Sequence, residues 1–158
     1  MKNKKFSCVA LGFICVLCVF CGIFFGCSTT GLLSCPYVIA NPHVEIGKFG
    51  ETHEFAGAYF TLFNDSEKTI SKYTVSFLLY DDEGNNPFIS SNCVVEKIAA
   101  EVLPHESKDF LISLDSYLST VPDEPYEIDF IYLREILYSD GSVWSDPFGM
   151  YAVKEVYE

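Results

Sequence analysis

Hydrophobic and polar residues alternate along most of the chain beyond residue 43, with the period of two that is typical of β-strands. The clearest case is the segment 72–81, in which Tyr73, Val75, Phe77 and Leu79 occupy alternate positions. All four side chains can therefore enter one core. A run rich in acidic, amide and glycine residues follows this segment directly and predicts a turn.

The same pattern predicts seven strands, separated by short runs of turn residues, whereas helical periodicity is almost absent. The predicted strands are residues 44–49, 55–64, 70–81, 93–98, 108–114, 126–138 and 143–146. Strands at this spacing normally pack as two sheets, so we expect an all-β fold, an immunoglobulin-like antiparallel β-sandwich of about seven strands. The expected core is aliphatic and aromatic: Phe60, Leu62, Tyr73, Val75, Phe77, Leu79, Phe110, Ile112, Ile128, Phe130 and Trp144.

Two local features add detail near the C-terminal end of this pattern. In the segment 126–138, Ile128, Phe130 and Tyr132 are in phase, but the hydrophobic residues after them change phase, which indicates a β-bulge, with a short helical turn as the alternative. The dipeptide Asp140-Gly141 follows and favours a hairpin with a type I′ turn. The last predicted strand would then return antiparallel to the strand before it.

The N-terminal segment has the features of an export signal. Three lysines lie among the first five residues, and residues 6–26 then contain no charge. Such a run is also long enough to cross a bilayer, since about 20 apolar residues suffice. The chain therefore divides into a lipoprotein signal peptide or membrane anchor (1–26), a tether (27–42) and a β-sandwich domain (43–158). The short apolar stretch 37–39 of the tether is able to dock on the domain.

Cysteine placement supports attachment of a lipid. The segment Phe24-Phe25-Gly26-Cys27 resembles a bacterial lipobox, in which a small residue precedes the modified cysteine. Cys27 is therefore the expected lipid-attachment site, and Cys35 is the alternative. An uncleaved anchor is the third reading. All three place the domain outside the cytoplasm, tied to a bacterial membrane.

Four of the other cysteines lie inside the apolar leader, where Cys15, Cys18 and Cys21 have the C-x-x-C spacing of redox or zinc motifs. A thiol in such a leader behaves as a small hydrophobe, so we expect no metal or redox chemistry there. If Cys27 carries lipid, Cys35 and Cys93 are the two thiols left in the mature chain. They either form one disulfide, which an oxidising compartment permits, or stay unpaired, and the sequence leaves both readings open.

The charge balance argues against nucleic acid as a partner. The chain has 10 basic and 22 acidic residues, and three of the basic residues precede Cys27, so the mature part has 7 basic residues and a net charge of −15. Such a surface repels phosphate backbones and, by the same reasoning, an anionic lipid surface. The acidic residues are scattered, which is typical of a solvated surface.

The segment 77–81, F-L-L-Y-D, resembles the F-x-L-Y-D signature of a family of small bacterial extracytoplasmic domains that are often found in lipoproteins. In these FxLYD-type domains the signature follows an asparagine-bearing strand end and precedes a glycine turn, the places that Asn64 and Gly84 occupy here. The resemblance covers about residues 54–114. It implies an immunoglobulin-like β-sandwich on the outer side of a membrane, and it implies no catalytic residue. The signature residues are Phe77, Leu79, Tyr80 and Asp81.

Candidate chemistry is sparse. Asp81, Asp82 and Glu83 are the candidate metal ligands, because they offer oxygen atoms around a turn glycine as calcium loops do, although their spacing is not that of an EF-hand. His53-Glu54 begins like a zinc-protease motif but has no second histidine. We therefore expect no cofactor and no enzymatic activity.

The high aromatic content makes an aromatic contact surface possible. Tyr80, Tyr138 and Tyr151 are candidates for exposed aromatic residues, which on a sandwich face form contacts with proteins or glycans. The sequence thus indicates a non-catalytic lipoprotein that is an interaction or structural module of the bacterial cell envelope, with an envelope protein or ligand of undetermined identity as its partner. The alternative is a β-sandwich domain that binds a small ligand or Ca²⁺ through its acidic turns.

Overall fold

Two antiparallel sheets account for the part of the chain that the structure describes. The structure is a computed structural model and describes residues 34–49, 53–88, 91–118 and 120–153. The signal or anchor segment and Cys27 lie outside these residues. The strands are β1 (Tyr37–Phe49), β2 (His53–Asn64), β3 (Ile70–Tyr80), β4 (Cys93–Val102), β5 (Ser107–Ser113), β6 (Glu127–Tyr138) and β7 (Val143–Ser145).

The strand order confirms the all-β prediction. One sheet has the order β1-β2-β5 and the other β4-β3-β6-β7, and each pair of neighbours is antiparallel. Buried residues from both sheets form one hydrophobic cluster between them. No helix among the described residues is long and apolar enough to cross a membrane.

Strand β3 lies at the centre of the four-stranded sheet, between β4 and β6. Its alternating residues Tyr73, Val75, Phe77 and Leu79 are all buried, as the period of two predicts. Since a central strand has neighbours on both edges, all of its backbone polar groups can be paired within the sheet.

Strand β1 begins earlier than the sequence predicts and takes in the end of the predicted tether. Tyr37 and Ile39 are buried in the core, so the stretch that we expected to dock does so as part of a strand. The pairing with β2 shifts register between Ala40 and His43, next to Pro42. A proline is tolerated here because β1 is an edge strand, and it conceals the first half of the strand from pattern analysis.

The pairing of β6 with β3 contains three register shifts, which in the order of β6 lie opposite residues 76–78, 74–75 and 70–72 of β3, and the first two place the extra residue on β6. The bulge prediction is therefore confirmed, but the placement of Phe130 in the core is wrong. Phe130 has a φ of 53° at the first shift, so Ile131 takes the inward position instead. The Phe130 ring packs edge-on against Tyr132, with ring centroids 5.7 Å apart.

The remaining core predictions hold in outline. Phe110 and Trp144 are half-buried and pack against the core, and the other predicted core residues are buried. The hairpin between β6 and β7 also forms, but its turn is not type I′. Gly141 has a φ of 83°, whereas Asp140 is not among the residues with positive φ, and a type I′ turn requires positive φ at both central residues.

Two buried tyrosines differ in whether their hydroxyl group is hydrogen-bonded. Tyr37 Oη accepts a hydrogen bond of 2.9 Å from the backbone N–H of Leu133, which joins the first strand of one sheet to a bulged strand of the other. Tyr73 Oη is buried and has no hydrogen-bond partner among the described residues. Burial raises the pKa of both phenols well above the ordinary value.

Candidate functional site

The signature residues at the end of β3 contribute to the core and to the turn that follows. Phe77 and Leu79 are fully buried, and Tyr80 is half-buried where the strand ends. Asp81 then forms the turn, because its Oδ1 accepts hydrogen bonds from the backbone N–H groups of Glu83 at 3.1 Å and Asn85 at 2.7 Å. This arrangement is ordinary Asx-turn chemistry, in which a short carboxylate satisfies the backbone of the next residues.

The acidic turn after β3 contains the candidate metal ligands Asp81, Asp82 and Glu83. Asp82 and Glu83 are exposed, and the carboxylate of Asp81 is already engaged by the turn. No group of three or more histidine, cysteine or acidic side chains suited to hold a metal ion occurs among the described residues. The calcium hypothesis therefore gains no support from the arrangement of Asp81, Asp82 and Glu83.

The two described cysteines are free thiols and lie too far apart for the disulfide that we considered. Cys35 lies just before Tyr37, which pairs with the last residue of β2, at the end of the sandwich where β3 begins. Cys93 pairs with Leu78, near the other end of β3. Eight positions from Ile70 to Leu78 span about 26 Å at about 3.3 Å per residue, whereas a disulfide needs Cα atoms within about 7 Å.

One end of the sandwich, which we call the entry end, is where the described chain enters β1. It also contains the connections after β2 and β4 and the hairpin after β6. The fully buried Asn64 organises it: its Nδ2 donates to the carbonyl groups of Lys68 at 2.8 Å and Val102 at 3.1 Å, and its Oδ1 accepts from the N–H and hydroxyl of Ser66. The side chain thereby fixes two connections at once.

Two ion pairs lie on the surface of the entry end. Lys68 Nζ lies 2.8 Å from a carboxylate oxygen of Asp140 and 2.7 Å from Ser142 Oγ. His105 Nε2 lies 3.2 Å from a carboxylate oxygen of Glu67. The Lys68 ammonium, with the hydrogen bonds from Ser142, holds the pKa of Asp140 well below its ordinary value.

The opposite end, which we call the far end, contains the connections that follow β3 and β5. Aromatic rings meet here: the centroid of Phe88 lies 6.1 Å from that of Tyr117 and 6.3 Å from that of Tyr126. Tyr117 Oη donates a hydrogen bond of 2.8 Å to Glu96. Burial, together with this hydrogen bond, raises the pKa of Tyr117 to about 12.

Among the residues that the structure describes, the most exposed large hydrophobic side chains lie on residues 146–151, which follow β7 and which we call the 146–151 loop. Phe148 is 83% exposed and Met150 is 77% exposed. The loop is nevertheless held in place, because the buried carboxylate of Asp146 accepts hydrogen bonds from the backbone N–H groups of Phe148 at 3.3 Å and Tyr151 at 3.0 Å. The two side chains thus project from an ordered segment.

Packing beneath the 146–151 loop also fixes it. Gly149 has a φ of 67° and is buried, and a Cβ atom at this position would lie 2.7 Å from the Phe130 ring and 3.1 Å from the Tyr132 ring. Only glycine meets both requirements at low cost. Just beyond the loop, the N–H of Val153 donates to Ile131, so the chain returns to β6.

Sequence reasoning missed this loop. The segment Asp146-Pro147-Phe148-Gly149 has the residue types of a turn. Nothing in the local sequence shows that Phe148 and Met150 face outward. Of the tyrosines expected to be exposed, Tyr138 is in fact buried at 6%, because the end of β6 packs into the core, and Tyr151 is half-buried.

Comparison with known proteins identifies a fold neighbour and no family. No family model matches the chain, and no curated protein matches it. Among solved structures, the chain is similar to a hypothetical protein of Peptoclostridium difficile 630, with a TM-score of 0.54 and 14% sequence identity. The match covers 78% of this chain and 94% of that chain, and at this identity it bears on the fold alone. The FxLYD resemblance therefore stays a prediction.

Proposed function

We propose that the protein is a membrane-anchored extracytoplasmic lipoprotein of the bacterial cell envelope, in which a non-catalytic domain serves as an interaction or structural module. The N-terminal lysines, the uncharged run of residues 6–26 and the Gly26-Cys27 pair support the anchor. Because the first strand already begins at Tyr37, the segment between the anchor and the folded domain is short.

The arrangement of the sheets supports an immunoglobulin-like sandwich, which is the fold that the FxLYD resemblance implies. Three strands face four, and the first, second and fifth strands share a sheet, as sandwiches of this class arrange their early strands. The signature residues also have structural roles: Phe77 and Leu79 fill the core, and Asp81 makes the turn. Asn64, at the strand end before the signature, joins two connections.

One observation carries the interaction role, namely the exposure of Phe148 and Met150 on an ordered loop. Isolated exposed hydrophobic residues are common, but here a buried carboxylate and a close-packed glycine hold two of them outward together. Aromatic residues and methionine are also enriched where proteins bind partners. The 146–151 loop is therefore the candidate contact surface.

Metabolic labelling with a radioactive fatty acid in a bacterial host tests the anchor. We expect wild-type protein and the matched Cys35→Ala variant to incorporate the label and to sediment with membranes. The Cys27→Ala variant should lose the label. Labelling that survives Cys27→Ala but not Cys35→Ala would place the anchor at Cys35, and labelling of neither wild-type nor variant protein would contradict the lipoprotein assignment.

A further inference from the structure

We propose that the partner of the 146–151 loop is the lipid bilayer to which the chain is anchored, and that Phe148 and Met150 enter its interfacial region. The proposal rests on the anchoring proposed above. Neutral apolar side chains on an ordered loop can enter this region without ordering a flexible segment.

The loop lies close to the point at which the chain enters the domain. The ring of Tyr37, the first residue of β1, packs edge-on against Trp144 with centroids 5.6 Å apart. Trp144 in turn lies 5.9 Å from the ring of Tyr151, at the end of the loop. Two ring-to-ring contacts therefore connect the start of the domain to the loop.

The length of the tether keeps this region near a membrane. Residues 27–37 span at most about 36 Å even when fully extended, because each residue contributes at most about 3.6 Å. A tether of this kind raises the local concentration of the domain at the bilayer surface. Weak intrinsic affinity, such as two apolar side chains supply, then suffices for contact.

Exposed charge is absent from the loop although the domain is strongly acidic. Residues 143–153 contain no lysine or arginine, and their one acidic residue, Asp146, is buried with its carboxylate bonded to the backbone. Entry of the loop tip therefore brings no exposed charge into the interface. The domain as a whole repels an anionic surface, so the contact that we propose is apolar and not electrostatic.

This origin predicts an unusual salt dependence. Added salt screens the repulsion between the acidic domain and anionic lipids, but it leaves burial of Phe148 and Met150 unaffected. Contact with vesicles that contain anionic lipid should therefore increase with ionic strength. A basic surface patch would show the opposite dependence.

Depth-dependent fluorescence quenching tests the proposal on the full-length chain reconstituted in vesicles. Since Trp144 is the single tryptophan, Phe148→Trp in a Trp144→Phe background places one reporter on the loop. The matched control is Leu111→Trp in the same background, because Leu111 is also exposed, at 50%, but lies on β5 of the other sheet. With phosphatidylcholine brominated in its acyl chains, we expect several-fold stronger quenching at position 148 than at position 111.

Equal, weak quenching at both positions in vesicles that carry the protein would overturn the bilayer contact and leave the anchor intact. Co-flotation of protein with the vesicles reads the anchor separately, so loss of flotation marks failure of the proposed function itself. A photo-reactive residue at position 148 of the otherwise native chain provides a second measurement that needs no change at Trp144. Adducts with lipid support the proposal, whereas adducts mainly with a second copy or with another protein refute it.

Discussion

The two ends of the sandwich are held by different kinds of interaction. At the entry end, Asn64 donates hydrogen bonds to the backbone at the connections after β2 and β4. Lys68, in the connection after β2, forms an ion pair with Asp140 in the hairpin between β6 and β7. At the far end, the rings of Phe88 and Tyr117 pack together and Asp81 closes a single turn. The entry end is therefore a polar network centred on one buried amide, while the contacts described at the far end are packed rings and one exposed turn.

This difference follows from what each end must fix. The entry end joins the connections of three strand pairs beside the point where the chain enters, so its backbone groups are buried together and need partners. At the far end, the turn after β3 is exposed, and water can satisfy its backbone. Substitutions of similar chemistry should consequently cost much more at the entry end.

The largest expected effect is that of Asn64→Ala. Loss of the side chain leaves the carbonyl of Val102 and the N–H of Ser66 without their partners, and each buried polar group without a partner costs about 1–3 kcal/mol. We expect a loss of about 3 kcal/mol or more in the free energy of unfolding, measured by urea denaturation. The matched Asp81→Ala variant removes two backbone hydrogen bonds in an exposed turn and should cost about 1 kcal/mol. Equal costs would show that the two ends do not differ in this way.

A pair of tyrosine substitutions gives the next largest effect. Tyr37→Phe leaves the buried N–H of Leu133 without an acceptor and should destabilise the domain by about 1–3 kcal/mol. Tyr73→Phe removes a buried hydroxyl that has no partner among the described residues, and it should stabilise the domain by about 1 kcal/mol. Thermal unfolding of both variants measures the difference. A destabilised Tyr73→Phe variant would indicate that this hydroxyl is hydrogen-bonded in solution.

Most of the fold could be predicted because a strand pattern is a local property. The alternation in β3 and the turn residues after it lie next to each other in sequence, and the structure confirms both. The start of β1 was missed because Pro42 interrupts the pattern, although an edge strand accepts it. Phe130 was misplaced because a bulge reverses the facing of every later residue, and its position depends on the pairing with β3.

The candidate site was less accessible to sequence analysis for a different reason. Exposure of Phe148 and Met150 results from the hydrogen bonds of Asp146 and from the contact of Gly149 with Phe130, which lies far away in sequence. Hydrophobic residues beyond the last predicted strand are consistent with either a buried or an exposed loop. Only the tertiary contacts decide between the two.

Alkaline pH should weaken the far end through Tyr117. Its pKa in the folded protein is raised from 10.0 to about 12, first by burial and then by the hydrogen bond to Glu96. A raised pKa stabilises the fold below the unfolded value, and that contribution is lost as the pH rises from about 10 to about 12. Tyr117→Phe loses the hydrogen bond to Glu96 and should be less stable than wild type at neutral pH. Because it has no ionisable phenol at this position, it should lose less stability over that interval.

Tyrosinate absorbance provides the companion measurement for this effect. Glu96→Gln removes a carboxylate acceptor and should lower the pKa of Tyr117 only in part, because burial is the larger cause. The other buried tyrosines have raised pKa values as well, so each variant is compared with wild type. If Tyr117→Phe and wild type lose stability in parallel at alkaline pH, Tyr117 does not couple the far end to pH.

Acidic pH should weaken the entry end, and this is the smallest effect. Lys68 holds the pKa of Asp140 below its ordinary value of 3.8, so the stability from this pair is present at neutral pH and is lost as the pH falls below that value. Both side chains are about half exposed, at 48% and 51%, so the pair contributes little and salt screens it.

Lys68→Gln should raise the pKa of Asp140 in an NMR titration, while the hydrogen bonds from Ser142 keep it partly depressed. A small difference in Tm from wild type should disappear in about 1 M salt, where the Debye length is about 3 Å. A difference that persists in high salt would mean that Lys68 acts through packing on the Tyr138 ring, over which its Nζ lies at 5.5 Å.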